Sequence, residues 1–82
     1  MVEYKMAKIK LKIVGSHQTT DIQSEDTLNA EKLWEIIRRV ELAYPRDYYT
    51  FSVFLNGVKE NDESKSLHDG DKVVVVPVFS GG

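Results

Sequence analysis

Apolar and polar residues alternate along two segments of the chain. Between Lys5 and Val14 every second residue is apolar from Ala7 onward, and lysines fill the positions between them, which is the period of a strand with one buried face. Thr50 to Leu55 alternates in the same way, and the Asn56-Gly57 pair that follows favours a tight hairpin turn. The pattern predicts a strand at both places, with a return strand beginning at Val58.

The segment before the second of these strands has the spacing of a helix. Apolar residues recur three and four positions apart from Leu33 to Tyr44, Glu31 suits the first turn, and Pro45 ends the helix. Thr27 or Asn29 is expected to cap its N-terminus. This helix would place one apolar stripe on the sheet, with Trp34 at its margin.

Two more strands are predicted. The polar, threonine-containing stretch 18–23 indicates a short edge strand in which Ile22 is the core residue. After the turn residues Asp69-Gly70-Asp71, the β-branched run from Val73 to Val76 is typical of a central strand that is buried on both faces. Pro77 has no N–H group, so we expect it at the end of the hydrogen-bonded ladder or at an edge.

The order strand, strand, helix, strand, short strand, strand predicts an α+β fold. A mixed sheet of four to five strands carries one helix on one face, with the first and last strands side by side in the centre. The chain has 82 residues, which allows one core. We expect residues 1–79 to form the domain and residues 80–82 to form a flexible C-terminal tail.

Composition and charge exclude several classes of function. The formal charge of -2 is too small to indicate a nucleic-acid partner, and the absence of cysteine excludes thiolate metal sites and a cysteine nucleophile. His17 and His68 are not spaced as metal ligands, and the acidic residues after position 60 do not match a calcium loop. No catalytic residue is predicted, so the domain is expected not to be an enzyme. Without a long apolar run, no membrane segment is predicted, and a cytoplasmic location is expected.

The C-terminal part of the sequence carries a specific motif. It comprises Leu67-His68-Asp69-Gly70-Asp71-Lys72-Val73, then Pro77, and then Ser80-Gly81-Gly82. With this motif and its order of elements, the chain resembles the β-grasp sulfur carriers and ubiquitin-like modifiers. That family includes MoaD, which is the small subunit of molybdopterin synthase, together with ThiS and the archaeal small modifier proteins. The resemblance implies a ubiquitin-like β-grasp fold and a reactive carboxylate on Gly82.

The resemblance also implies the chemistry of that carboxylate. A ubiquitin-activating-type adenylyltransferase would use ATP to adenylate Gly82, and a persulfide would displace AMP to leave a thiocarboxylate. This group would donate sulfur to molybdopterin on the molybdopterin synthase large subunit or to another acceptor. As an alternative, the activated Gly82 is joined to lysines of target proteins. In a third alternative the domain is a plain interaction module. No stably bound cofactor is expected.

Elementary chemistry supports a reactive tail. Gly81 and Gly82 have no side chains and tolerate any φ, so they suit a narrow channel in a partner, with Ser80 and Phe79 threading beside them. If the chain extends from Pro77 at about 3.3 Å per residue, its end reaches roughly 20 Å from the sheet. A terminal carboxylate is ionised at neutral pH and can attack the α-phosphate of ATP. The contrary interpretation is an ordinary unstructured terminus.

The sheet face opposite the helix is a second candidate surface. Phe54, Val74 and Val76 are expected to be exposed there, with Pro77 beside them, and an exposed apolar patch on a small domain marks a partner surface. The resemblance implies that the activating enzyme docks on this face.

Two features complicate this surface. A loop, or Tyr4 and Met6, is an alternative cover for it. Lys8, Lys10 and Lys12 share the face, where the small subunits of molybdopterin synthase are more apolar. A solvated strand face that prevents aggregation is the preferred interpretation of these lysines over a functional basic strip.

Overall fold

The computed structural model describes residues 7–14 and 23–80, and for residues 23–26 it describes the backbone alone. The elements are β1 (Ala7–Val14), β2 (Gln23–Ala30), α1 (Leu33–Ala43), β3 (Tyr49–Leu55), β4 (Val58–Lys59) and β5 (Lys72–Phe79). They form a five-stranded sheet in the order β2-β1-β5-β3-β4. β1 and β5 are parallel, and the other neighbouring strands are antiparallel. The predicted mixed sheet, with its first and last strands in the centre, is confirmed.

One face of the sheet packs against α1. Ile9 of β1, Val75 of β5 and Leu33 of α1 are fully buried, and Phe51 and Leu55 of β3 pack against this core from its margin. Because strand side chains alternate between faces, the apolar positions of the alternating segments all lie on the helix side. The buried core consists of Ala7, Ile9, Leu11, Ala30, Leu33, Ile36, Ile37, Val40, Val53, Leu67, Val73 and Val75.

The second strand lies later in the chain than predicted. β2 begins at Gln23, where the predicted strand ends, and pairs with all eight residues of β1. Residues 18–22, including Ile22, lie outside the described residues. The segment 23–30 is rich in Asp, Asn, Ser and Thr, which favour helix caps and turns, and its pairing with β1 outweighs this local preference.

The start of α1 therefore also differs from the prediction. Thr27 and Asn29 lie in β2, so neither caps the helix, and Lys32 occupies the N-cap position. The carboxylate of Glu35 accepts hydrogen bonds from the backbone N–H groups of Glu31, at 3.1 Å, and Lys32, at 2.9 Å. The Glu35 side chain thus binds free backbone N–H groups at the start of the helix. This capping role was predicted for Thr27 or Asn29.

The turns agree with the sequence. Asn56 and Gly57 have φ values of 52° and 85°, the left-handed conformation that a two-residue hairpin turn of this kind requires. The hydrogen-bonded ladder between β1 and β5 ends at Val75. Pro77 lies beyond the end of this ladder, as predicted. No helix among residues 7–14 and 23–80 is long and apolar enough to cross a membrane.

Candidate functional site

The end of β5 leads towards the predicted reactive group and is part of the sheet. Pro77, Val78 and Phe79 pair with β3. The N–H group of Ser80, at 2.7 Å, and its Oγ, at 3.0 Å, both donate hydrogen bonds to the carbonyl oxygen of Tyr48. Residues 77–80 are bonded to β3 or to Tyr48 and do not extend away from the sheet. The predicted distance of roughly 20 Å from the sheet to the end of the chain, which was counted from Pro77, is therefore too long. Gly81 and Gly82 lie outside the described residues.

Phe79 belongs to a row of aromatic side chains. Its ring centroid lies 5.5 Å from that of Tyr49, and Tyr49 in turn lies 5.2 Å from Tyr44 at the end of α1, both in edge-to-face geometry. Such pairs contribute about 0.5–1.5 kcal/mol each beyond their buried area. Phe79 is nevertheless 49% exposed. It anchors the last position of β5 and leaves part of its ring available to a partner.

The Asp71 carboxylate organises the turn before β5. It accepts hydrogen bonds from the His68 N–H group, at 2.8 Å, and from the Asn56 side-chain amide, at 3.0 Å. Burial raises the pKa of Asp71, but the hydrogen bonds from Asn56 and His68 outweigh it and hold the pKa below its usual value. Asn56 is also bonded to the backbone of Lys72. Its Oδ1 accepts a hydrogen bond from the Lys72 N–H group, at 2.9 Å, and its backbone N–H group donates one to the Lys72 carbonyl oxygen, at 2.8 Å.

Asp69 and Gly70 connect the same turn to β1. The Asp69 carboxylate accepts a hydrogen bond from the Lys8 N–H group, at 2.6 Å, and the Gly70 N–H group donates to the Lys8 carbonyl, at 3.0 Å. Gly70 has a φ of 89°, which side-chain-bearing residues rarely adopt. The Asp-Gly-Asp segment thus fastens β1, β5 and the β3–β4 hairpin together where β5 begins.

Phe54, Val74 and Val76 lie together on the sheet face opposite α1, and each is half-buried. Phe54 is directly opposite Val74 in the ladder, and Val76 is opposite Ser52. Pro77 does not join them. Its side chain is buried on the helix side, because neighbouring strand residues point to opposite faces, so its assignment to the docking surface is corrected.

Lysines border this apolar group, and we call the whole surface the open face. The register places Lys12 beside Val74, Lys10 beside Lys72, and Lys59 opposite Phe54. Among the side chains that the structure describes, none of these lysines lies within 4.0 Å of a carboxylate. Both Lys59 and Lys72 were missed by the sequence analysis. Lys72 could have been placed here because it shares its parity with Val74 on β5, whereas Lys59 is brought here by the register of β4 on β3. The open face therefore combines an apolar centre with a basic rim.

Comparison with solved structures finds a protein described as Caldiarchaeum subterraneum ubiquitin. The likeness covers 93% of this chain and 100% of that chain, with a TM-score of 0.61 and 21% sequence identity. No family model and no curated protein matches the sequence. The chain therefore has the ubiquitin-like β-grasp fold, as predicted. Membership of the MoaD and ThiS family stays a prediction.

Proposed function

We propose that this domain is a sulfur carrier that acts through the carboxylate of Gly82 in a chain ending at that residue. The carboxylate attacks the α-phosphorus of ATP in an activating enzyme and releases pyrophosphate. A partner persulfide attacks the resulting acyl adenylate and displaces AMP. A partner thiol then reduces the sulfur–sulfur bond, which leaves a thiocarboxylate on Gly82. This chain has no cysteine, so both sulfur groups come from partners.

One observation supports this proposal above the others. The central strand β5 runs directly into the segment Ser80-Gly81-Gly82, and Ser80 is bonded to the Tyr48 carbonyl. The two glycines therefore follow a fixed point at the end of the sheet. They place no side chain in the way of a partner that must reach the Gly82 carbonyl carbon.

The acceptor follows from the resemblance of the Leu67–Val73 segment, Pro77 and the terminal glycines to the sulfur carriers. We propose that the sulfur passes to a molybdopterin precursor on the molybdopterin synthase large subunit. A second candidate is conjugation of Gly82 to lysines of target proteins. The solved structure with this fold is described as a ubiquitin, and that description motivates the second candidate, while the likeness itself, at 21% identity, concerns the fold alone. In both cases the domain itself supplies no catalytic group.

The open face is the proposed contact for the activating enzyme. Phe54, Val74 and Val76 supply an apolar centre, and the lysines around it favour a partner surface with an acidic rim. Interfaces commonly have this arrangement, in which the apolar centre provides affinity and the charged rim accelerates association.

Activation is tested by ATP–pyrophosphate exchange with the activating enzyme of the native host. The comparison is between a chain ending at Gly82, one that lacks Gly82, and one with a residue appended after Gly82. We expect exchange with the first chain alone, while all three unfold at the same temperature. Normal exchange with the extended chain contradicts the proposal, because its carboxylate is displaced from Gly82.

Docking is tested by charge substitution on both sides of the sheet. Val76→Asp is expected to weaken binding of the activating enzyme by about tenfold or more, since it places a carboxylate within an apolar contact. Val58→Asp is the matched control, because Val58 is 69% exposed and pairs with Leu55 on the other face. Equal affinities for the two variants rule out the open face as the contact.

A further inference from the structure

We infer that the outer side of α1 binds an acidic, apolar peptide segment of another protein. We call this surface the Trp34 strip. It consists of Trp34, Arg38, Arg39 and Leu42 of α1 together with Leu28 of β2. The Trp34 strip contains neither Gly82 nor any residue of the open face, which lies on the other side of the sheet. The inference therefore does not depend on the chemistry of Gly82.

The apolar part of the strip is exposed without a partner in the described chain. Trp34 is 41% exposed and Leu42 is 85% exposed, although both lie on the same helix as the fully buried Leu33. Together with the half-buried Leu28 they border a groove of about 430 Å³ between α1 and β2. Clustered apolar side chains at a groove on a small domain indicate a contact surface.

The charged part of the strip determines which partner fits. The Arg38 guanidinium lies over the Trp34 ring, 5.8 Å from its centroid, and Arg39 is exposed beside it. Among the side chains that the structure describes, which do not include those of residues 23–26, neither arginine has a carboxylate within 4.0 Å, whereas Arg46 bonds Glu41 at 3.3 Å and Glu63 at 3.2 Å. A guanidinium group binds a carboxylate through two parallel hydrogen bonds, so the strip favours an acidic partner.

The neighbouring acidic residue and the net charge strengthen this assignment. Glu35 lines the same groove, but its carboxylate is occupied by the backbone N–H groups of Glu31 and Lys32. The chain as a whole carries a formal charge of -2, so two adjacent arginines are not a consequence of general basicity. Their position beside exposed apolar side chains is a local feature.

The spacing of the strip sets the length of the segment. Trp34 and Leu42 are eight positions apart, which corresponds to about 12 Å along a helix. An extended peptide covers that distance in roughly four residues. A segment with apolar side chains over Trp34 and Leu42, and Asp or Glu between them facing Arg38 and Arg39, satisfies both parts of the surface.

The test uses the chain's single tryptophan as the probe. A short synthetic peptide that repeats Leu-Ser-Glu-Ser presents leucine and glutamate in turn on one face of the extended chain, and it is titrated while Trp34 fluorescence and backbone amide chemical shifts are recorded. We expect saturable changes centred on Trp34, Arg38 and Leu42. Replacing both arginines by Glu should weaken binding by about tenfold or more, whereas Lys59→Glu on the open face should not change it.

Five results overturn the inference. They are equal binding of the same peptide with lysine in place of glutamate, chemical-shift changes centred on the open face, and unchanged affinity in the double arginine variant. The fourth is a shift of Trp34 emission with phosphatidylserine vesicles but not with the acidic peptide, which assigns the strip to a membrane surface. Deletion of residues 1–6 completes the set of controls. If this deletion, without any added peptide, shifts the Trp34 emission to that of a solvated tryptophan, the chain itself covers the strip. That result refutes the inference as well.

Discussion

Replacing Asp71 with alanine removes the carboxylate at the centre of the turn before β5. The Asp71 side chain is 16% exposed, so water screens its hydrogen bonds only partly. The substitution leaves the His68 N–H group and the Asn56 amide without their acceptor. It also frees Asn56, which bridges to the backbone of Lys72 at the start of β5.

The expected loss of stability follows from these two bonds. A typical hydrogen bond contributes about 0.5–1.5 kcal/mol net, and we use this range for the two bonds because water partly screens the Asp71 charge, so the loss is roughly 1–3 kcal/mol. That is a large part of the roughly 4–12 kcal/mol expected for a domain of this length. Since 1 kcal/mol corresponds to about 4–8 °C in a domain of this size, we expect Tm to fall by roughly 4–24 °C.

The effect should depend on pH with a defined sign. The pKa of Asp71 is lowered in the folded state, so its contribution is complete above the unfolded pKa of about 3.9 and disappears as pH falls through the lower folded value. Wild type should therefore exceed Asp71→Ala in stability near neutral pH. The difference should shrink as pH falls below about 4.

Urea unfolding at neutral and acidic pH measures both the loss and its pH dependence. Asp62→Ala is the matched control: the pKa of Asp62 is also lowered, first by the Ser64 hydroxyl, but its bonds remain within an exposed loop. We expect a much smaller effect there. Equal stability of Asp71→Ala and wild type at neutral pH refutes the structural role. A rise in wild-type Tm with added calcium or magnesium indicates instead that the acidic residues bind a cation.

Three further substitutions probe the fold around the candidate site. Gly70→Ala should lower the free energy of unfolding in urea by about 1–2 kcal/mol. The cost comes from the φ of 89°, since the space around an added Cβ is open and no clash contributes; an unchanged stability shows that the backbone relaxes. Ile36→Ala, at a side chain that is 1% exposed, should cost about 2–5 kcal/mol in the same measurement, and a loss under 1 kcal/mol contradicts its place in the core. Ser80→Pro removes the N–H donor to Tyr48 and should speed hydrogen exchange of the Val78 amide, whereas unchanged exchange shows that this bond does not hold the end of β5.

The sequence predicts β1, β3 and β5 because alternation directly reflects burial on one sheet face. Val73 and Val75 face α1 and Val74 faces away, as their parity requires. β2 could not be placed in this way. Its Gln23–Ala30 segment has few apolar residues, and its conformation is fixed by pairing with β1, which is a non-local interaction.

The candidate surfaces could likewise be predicted only where a local sequence pattern determines them. Phe54, Val74 and Val76 follow from parity, but Pro77 is one position further along and therefore lies on the opposite face. The bonds from Ser80 to Tyr48 depend on the alignment of β3 with β5, which no local pattern contains. The Trp34 strip likewise depends on where β2 lies beside α1.

Activation of Gly82 is tested most directly by mass spectrometry of the protein purified from its native host. We expect a population of chains ending at Gly82 in which sulfur replaces one oxygen of the terminal carboxylate. In the second candidate function, Gly-Gly remnants are found on lysines of other proteins after proteolysis. If cells that contain the activating enzyme yield neither the sulfur-bearing terminus nor lysine-linked remnants, Gly82 is not the reactive group and the domain acts through its surfaces alone.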